Sequence, residues 1–241
     1  MPTLQSLARR ARHIALCSAA LLAGAAQAHN VWLEPDASGG YLIQFGGHAG
    51  QLEAFAPEKL QGVRAFDRRG RSVDARVEQA PPGLRVLPAP EAAMIAVELD
   101  NGFFSGSSSA GGAMRNVRMD QNPGATRGVH ARKFHKTVIV WNALTQRDIG
   151  QAFEVTPQQG RAPHAGDWLE LKVQLQGKPL AGARVSLGEN GPAVLTDARG
   201  LAKIQTARGT NHVQVIYRQP VQGNVQITER SYEALFSFAT H

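Results

Sequence analysis

The sequence predicts an all-β protein of two β-sandwich domains behind a cleaved signal peptide, the C-terminal domain being immunoglobulin-like. Three observations carry this. Apolar residues alternate with polar ones over most of the chain, as in Tyr41, Ile43 and Phe45, or Leu169, Leu171, Val173 and Leu175, which is the period of a sheet with one buried face. Gly, Asn and Asp punctuate these runs at intervals of roughly ten residues, the strand spacing of a sandwich. No window shows a sustained helical period with caps.

The N-terminus carries Arg9, Arg10 and Arg12, then an apolar run from Ile14 to Ala26, then the triplet Ala26-Gln27-Ala28. Charged, apolar, small-x-small is the order of a secretory signal peptide, so residues 1–28 are expected to be removed and His29 to become the first residue. The run is shorter than the about 20 apolar residues a membrane span needs. No other stretch approaches that length, so the mature chain is expected to lack a transmembrane segment and to be periplasmic. Lipoprotein processing at Cys17 is the competing reading, disfavoured by the bulky Leu16 before it. Cleavage after Ala28 removes the only cysteine, and with it any disulfide or thiolate metal site. It also takes three Arg from 26 basic residues, leaving 23 against 19 acidic, a net of +4 rather than +7. The remaining positive charge forms no stripe interleaved with aromatics, so no nucleic acid is expected as a partner.

The first sandwich is expected over 29–157. Its strands include the Tyr41 to Phe45 run, then Val73, Ala75 and Val77, then Ile95, Val97 and Leu99, with turns at "DRRG" (Asp67 to Gly70) and "DNG" (Asp100 to Gly102). Between Ser105 and Gly128 the pattern gives way to Ser, Gly and Asn, which predicts a long exposed loop or partly ordered insertion. "KTVIVWN", Lys136 to Asn142, is a continuous apolar run suited to a buried central strand. "FEVTP", Phe153 to Pro157, closes the domain. A hinge follows at 158–167, and the second sandwich occupies 158–241. There "GKPLAGARVSL" turns into a strand, "AVLTDARGLAKI" reads as a hairpin, and Val213, Val215 and Tyr217 alternate. "TDARG" and "ENG" (Glu189 to Gly191) read as turns, because Asp197 can bond the backbone two residues on.

The chemical inventory narrows the function. There is no cysteine nucleophile, Gly-x-Ser-x-Gly elbow, Gly-rich phosphate loop or His-Glu-x-x-His helix, and no enzyme is predicted. Histidine is the informative residue, since an exported chain without cysteine has imidazole as its transition-metal ligand. As an N-terminal residue, His29 would chelate a metal with its α-amine and ring together. His48, in "FGGHAG", follows a strand and has glycines that let the backbone approach closely; it is the leading partner. His130 and His135 lie five apart, which places them on opposite faces of a strand. His130 is then the third candidate ligand and His135 structural; His164, His212 and His241 read as solvent-exposed. Trp32, Trp141 and Trp168 sit in or beside apolar segments and read as core.

The start "AHNVWLEPD", "FGGHAG", the Lys-centred "RKFHKTVIVWN", "FEVTP", and "GKPLAGARVSL" to "LTDARG" together resemble the DUF4198 proteins over essentially the whole mature chain. These are exported bacterial proteins described as NikM-like periplasmic components of nickel or cobalt uptake. The resemblance implies two β-sandwich domains, a periplasmic location and a role in transition-metal handling, and it supports His29 by position. The chain departs from the family's pattern at "HARKFHK" before the central Lys and at "IYRQP" after a late core strand.

The expected function is therefore a periplasmic protein that binds a divalent transition metal ion, nickel, cobalt or copper, through His29, His48 and His130. Its expected partners are the ion and a membrane metal transporter or outer-membrane receptor. Two rivals stand beside it. One is a copper-dependent oxidase using the same N-terminal histidine, disfavoured by an aromatic content of 6%. The other is a non-metal interaction module whose 105–128 loop carries recognition.

Overall fold

The structure is a computed structural model that describes residues 29–37, 39–47, 51–81, 83–108 and 113–240. The expected signal peptide and His48 lie outside the described residues. Within them the regular structure is nearly all strand, and the helical pieces are short 3-10 turns.

An eight-stranded sheet forms the middle layer. Its order is β13 (Ala193–Leu195), β12 (Arg184–Leu187), β15 (Gly209–Pro220), β16 (Glu229–Thr240), β8 (Arg127–Val138), β7 (Ala92–Gly106), β3 (Leu60–Asp67) and β4 (Ser72–Val73). Neighbours are antiparallel except β16 and β8, which run parallel from Glu229↔Val129 to Ser237↔Thr137. A second sheet holds β1 (Asn30–Pro35), β2 (Tyr41–Gly46), β6 (Gly83–Pro88) and β5 (Ala75–Ala80) in that order. A third joins β9 (Phe153–Pro157), β11 (Lys178–Pro179) and β14 (Leu201–Gln205) to β10 (Trp168–Leu175).

The two small sheets cover opposite faces of the large one. Phe134 and Val138 of β8 share a core with Phe153, Leu169 and Leu171 of the third sheet. The intervening His135 lies across from Val97, and Val97 shares the other core with Val31, Ile43 and Leu84. Successive side chains of a strand point to opposite faces, so β8 feeds both cores. The fold is thus two sandwiches built on one shared sheet. The residue 157 boundary falls beside a paired strand, because β9 bonds β10 from Leu175↔Phe153 to Leu171↔Pro157. Alternation reveals a strand but not the neighbour it chooses.

Three local expectations change, and the 105–128 segment is partly ordered, one of the two forms expected of it. The strand expected over Lys136 to Asn142 ends at Val138; Ile139 N and Val140 N both donate to Ala93 O, at 2.9 and 3.0 Å, which turns the chain out of the ladder. Val140 and Trp141 then pack on the core from a loop. "DNG" is a bulge inside β7 rather than a turn: the register slips between Asp100 and Gly102, and Asp100 Oδ1 accepts from Gly102 N at 2.9 Å. "TDARG" is a turn, with Asp197 Oδ1 accepting from Arg199 N and Leu201 N at 2.8 Å, yet it joins β13 to β14 in different sheets instead of closing a hairpin. The described part of 105–128 is tied down. Ser105 and Arg115 exchange backbone bonds of 2.9 and 2.8 Å, and buried Asn122 donates to Ser105 O at 3.0 Å.

Strand β8 also carries buried charge on each face. Lys136 donates to Glu154 Oε1 at 2.7 Å and to Val155 O at 3.0 Å. Glu154 accepts further from Ile149 N, Gly150 N and Gln151 N at 2.7 to 3.1 Å. Burial pushes the Lys136 ammonium below the usual lysine range while Glu154 opposes the shift. On the other face Lys133 pairs with Glu233, its register partner, and Ser231 Oγ donates to Glu233 at 2.8 Å. Beside it His135, 1% exposed, accepts from Leu33 N through Nε2 at 3.2 Å, which ties β1 to the central sheet.

Two predictions follow from these buried groups. Glu154→Leu strands an ammonium in the core and should cost about 3–5 kcal/mol, read as a lowered urea midpoint; adding Lys136→Met should restore much of it. Burial lowers the His135 pKa to about 3, so below about pH 6.5 the unfolded chain takes a proton that the folded chain refuses. Stability should then fall from pH 6.5 towards pH 3 by up to roughly 1.4 kcal/mol per pH unit from this group. A His135→Gln variant should show a flatter pH profile of thermal midpoints.

Candidate functional site

The site grows from the start of β1. Asn30 pairs with Gly46 at the end of β2, which sets His29 beside that strand end. Its ring stacks on Phe45, centroids 5.5 Å apart and planes 10° from parallel, and Phe45 in turn meets Phe55 at 5.8 Å. His29 Nε2 lies 2.6 Å from Glu53 Oε1. An ionised carboxylate only accepts, so the ring nitrogen facing Glu53 carries its proton.

Glu53 reaches His29 because the chain reverses tightly after β2. Gly46 bridges to Leu52, Gly47 N donates to Gln51 O at 3.3 Å, and Glu53 N donates to Phe45 O at 2.8 Å. Gly46 has φ +142°, and a Cβ there would stand 2.1 Å from Gln51 O. The first glycine of "FGGHAG" is thus required by a close backbone approach. His48 falls between Gly47 and Gln51, outside the described residues.

His130 has a different environment. On β8 it faces Phe103 of β7, stacked at 4.4 Å and 11°. Its Nε2 lies 2.8 and 3.0 Å from the two oxygens of Asp100, the residue whose Oδ1 also holds the bulge. Among the described residues no group of three or more His, Cys, Asp or Glu side chains is gathered for a metal ion. The structure thus gives His29 and His130 a carboxylate each. A histidine oriented by a carboxylate through one ring nitrogen is the arrangement that presents the other nitrogen to a metal, so the donor chemistry at His29 fits one.

The other histidines divide by burial. His212, expected at the surface, is half-buried; its Nδ1 lies 2.7 Å from Ser237 Oγ, and burial lowers its pKa while Glu34 opposes this. His164 is exposed, with Nδ1 3.5 Å from Asp167, and His241 lies outside the described residues. Trp168, expected in the core, is 64% exposed, because it stands at the first position of β10 with its ring turned away from Leu169. Trp141 packs on the C-terminal core, and Trp32 Nε1 donates to Glu34 at 2.9 Å.

Glu53 and Asp100 were not among the residues singled out by the sequence. The available signal was indirect: each follows or sits in a glycine-bearing break in a strand pattern, where a carboxylate can be carried back over a ring. Gly46→Ala should destabilise the protein by more than about 1 kcal/mol, since both the positive φ and the Gln51 carbonyl oppose it. Chemical denaturation and hydrogen exchange at Leu52 and Glu53 check this, with the 46–53 turn opening first.

No family model matches the chain, and no solved structure matches it. An uncharacterised protein of Haemophilus influenzae strain Rd is 30% identical over 216 residues, 88% of this chain and 91% of its own length. The chain belongs to the same family as that Haemophilus protein.

Proposed function

We propose that the mature protein begins at His29, resides in the periplasm and binds a divalent transition metal ion, nickel, cobalt or copper, for uptake or delivery. The single observation that supports this most directly is the 2.6 Å contact from His29 Nε2 to Glu53. With Nε2 turned to the carboxylate, Nδ1 is the ring nitrogen on the main-chain side, where it and the α-amine close a chelate. The α-amine has an ordinary pKa of about 7.7–8.0, so near neutral pH an ion displaces a weakly held proton. The bound ion would be the cargo of the protein, with a membrane transporter or outer-membrane receptor as the recipient.

Within this reading the residues have separate tasks. His29 supplies two nitrogens, and Phe45 fixes the ring plane by stacking. Glu53 fixes the ring rotation and raises the basicity of the ligating nitrogen. His48, two residues after Gly46 in the sequence, supplies a further imidazole. His130, oriented by Asp100 and stacked on Phe103, is the third candidate ligand.

Calorimetric titration with nickel and copper tests the reading. Protein processed after Ala28 should bind at least tenfold tighter than protein with extra residues before His29. His29→Ala should remove the difference, Glu53→Gln should weaken binding by about 10–100-fold, and loss of a further ligand in His48→Ala or His130→Ala should weaken it as well. Equal affinity for the processed and extended chains would sink the proposal.

A further inference from the structure

Beside the His29–Glu53 pair lies a cavity that has only Glu53 in common with the proposed metal site. Strand β2 pairs with β6 only from Tyr41↔Val86 to Ile43↔Leu84. Beyond Ile43, β2 has β1 on one side, and on the other the returning segment that rejoins it where Glu53 N meets Phe45 O. The gap between is a cavity of about 330 Å³, walled by Ile43, Leu52, Phe55 and Leu84. Among the described residues Glu53 is the one charged residue of its lining, with Gln44 and Gln79 the polar ones.

Two features distinguish this gap from a packing fault. Its volume is at the lower end of the range for small-molecule sites, which are apolar with a few convergent polar groups. Leu52 is 58% exposed at the rim, a large apolar side chain kept in water where burial would stabilise it by about 1.5–3 kcal/mol. The charge on the wall is negative, and among the described residues the lining holds no cationic side chain. Only one oxygen of Glu53 is committed to His29 by the 2.6 Å contact.

We propose that this cavity binds a small organic ammonium ion, its charged end on Glu53 and its hydrocarbon or aryl body against Ile43, Leu52, Phe55 and Leu84. The Glu53 side chain is 47% exposed, and a carboxylate makes its strongest bond to a charged donor. The apolar walls reward a body of a few carbons and leave a hydrated inorganic ion without partners. The site shares Glu53 with the metal reading but needs neither the α-amine of His29 nor His48, so each can fail without the other.

Hexylammonium, hexanol and hexanoate are suitable probes, titrated into the metal-free protein and followed by calorimetry and amide shifts. Hexylammonium should bind at least about tenfold tighter than hexanoate, the worth of one charge-assisted hydrogen bond, with shifts centred on Leu52 to Phe55. Gly83→Leu provides a variant that fills the cavity. A Cβ on Gly83 meets nothing nearer than Ile43 O at 3.9 Å, so the fold accepts it. Gly83→Leu should abolish binding while its metal titration still reports on His29, and Glu53→Gln should remove the preference for the ammonium. Equal affinity for all three probes, no binding of hexylammonium, or unchanged binding by Gly83→Leu would each overturn the proposal.

Discussion

Strands β8 and β16 run parallel, whereas the other strand pairs among the described residues are antiparallel, and that pairing dictates most of what lies between them. Parallel neighbours cannot be joined by a tight turn. The chain leaving Val138 therefore travels through residues 139–228 before Glu229 begins the partner strand. That excursion is the whole third sheet together with β12, β13 and β15. Closing a connection of that length adds only a slowly growing entropy, so the cost is met by what the excursion buries. The C-terminal core of Phe153, Leu169, Leu171, Val173 and Phe236 is that burial.

The same strand explains why two buried ion pairs persist in an otherwise apolar centre. Lys133 and Lys136 differ by an odd number, so their side chains leave β8 on opposite faces. Each needs its own acid. Glu233 comes from β16 in register, and Glu154 comes from the start of β9, where three backbone N–H groups hold it. A slip of one residue would drive each ammonium into the wrong core, where no carboxylate waits. Ion pairs of this kind add little net stability against an apolar pair, but a mispaired alternative is heavily penalised. The charges of β8 thus set its register more firmly than its apolar residues do, since both of its faces are buried.

This also explains what the sequence made legible. Alternation at Tyr41 to Phe45 and Leu169 to Leu175 reports burial of one face, and both segments are strands. The turn chemistry of Asp67 and Asp197 reports local bonds, and both turns form. Partner choice is another matter. Nothing within "TDARG" distinguishes a hairpin from a crossing between sheets, because the Asx bonds are identical in the two. "DNG" likewise offers the same Asp-to-Gly bond to a turn and to a bulge. Trp168 shows the limit of composition: an apolar residue at a strand's first position follows the pleat, and its alternate face is solvent. For the site, the glycines around His48 and the position of His29 were readable. Glu53 and Asp100 were not, because what makes them matter is a ring brought over them by strand pairing.

The candidate site inherits its geometry from a few backbone contacts at one strand end. His29 is placed by the Asn30↔Gly46 pair, and Glu53 by the bond from its own N–H to Phe45 O. Both run through β2, and both depend on Gly46, which alone admits the Gln51 carbonyl at that approach. The His29 ring and the Glu53 carboxylate are therefore both placed by backbone contacts to β2. Strand β1 is itself anchored by the buried imidazole of His135 accepting from Leu33 N. The core histidine and the candidate ligand histidine are thus linked through one short strand, and the neutral state of the first is a condition for the position of the second.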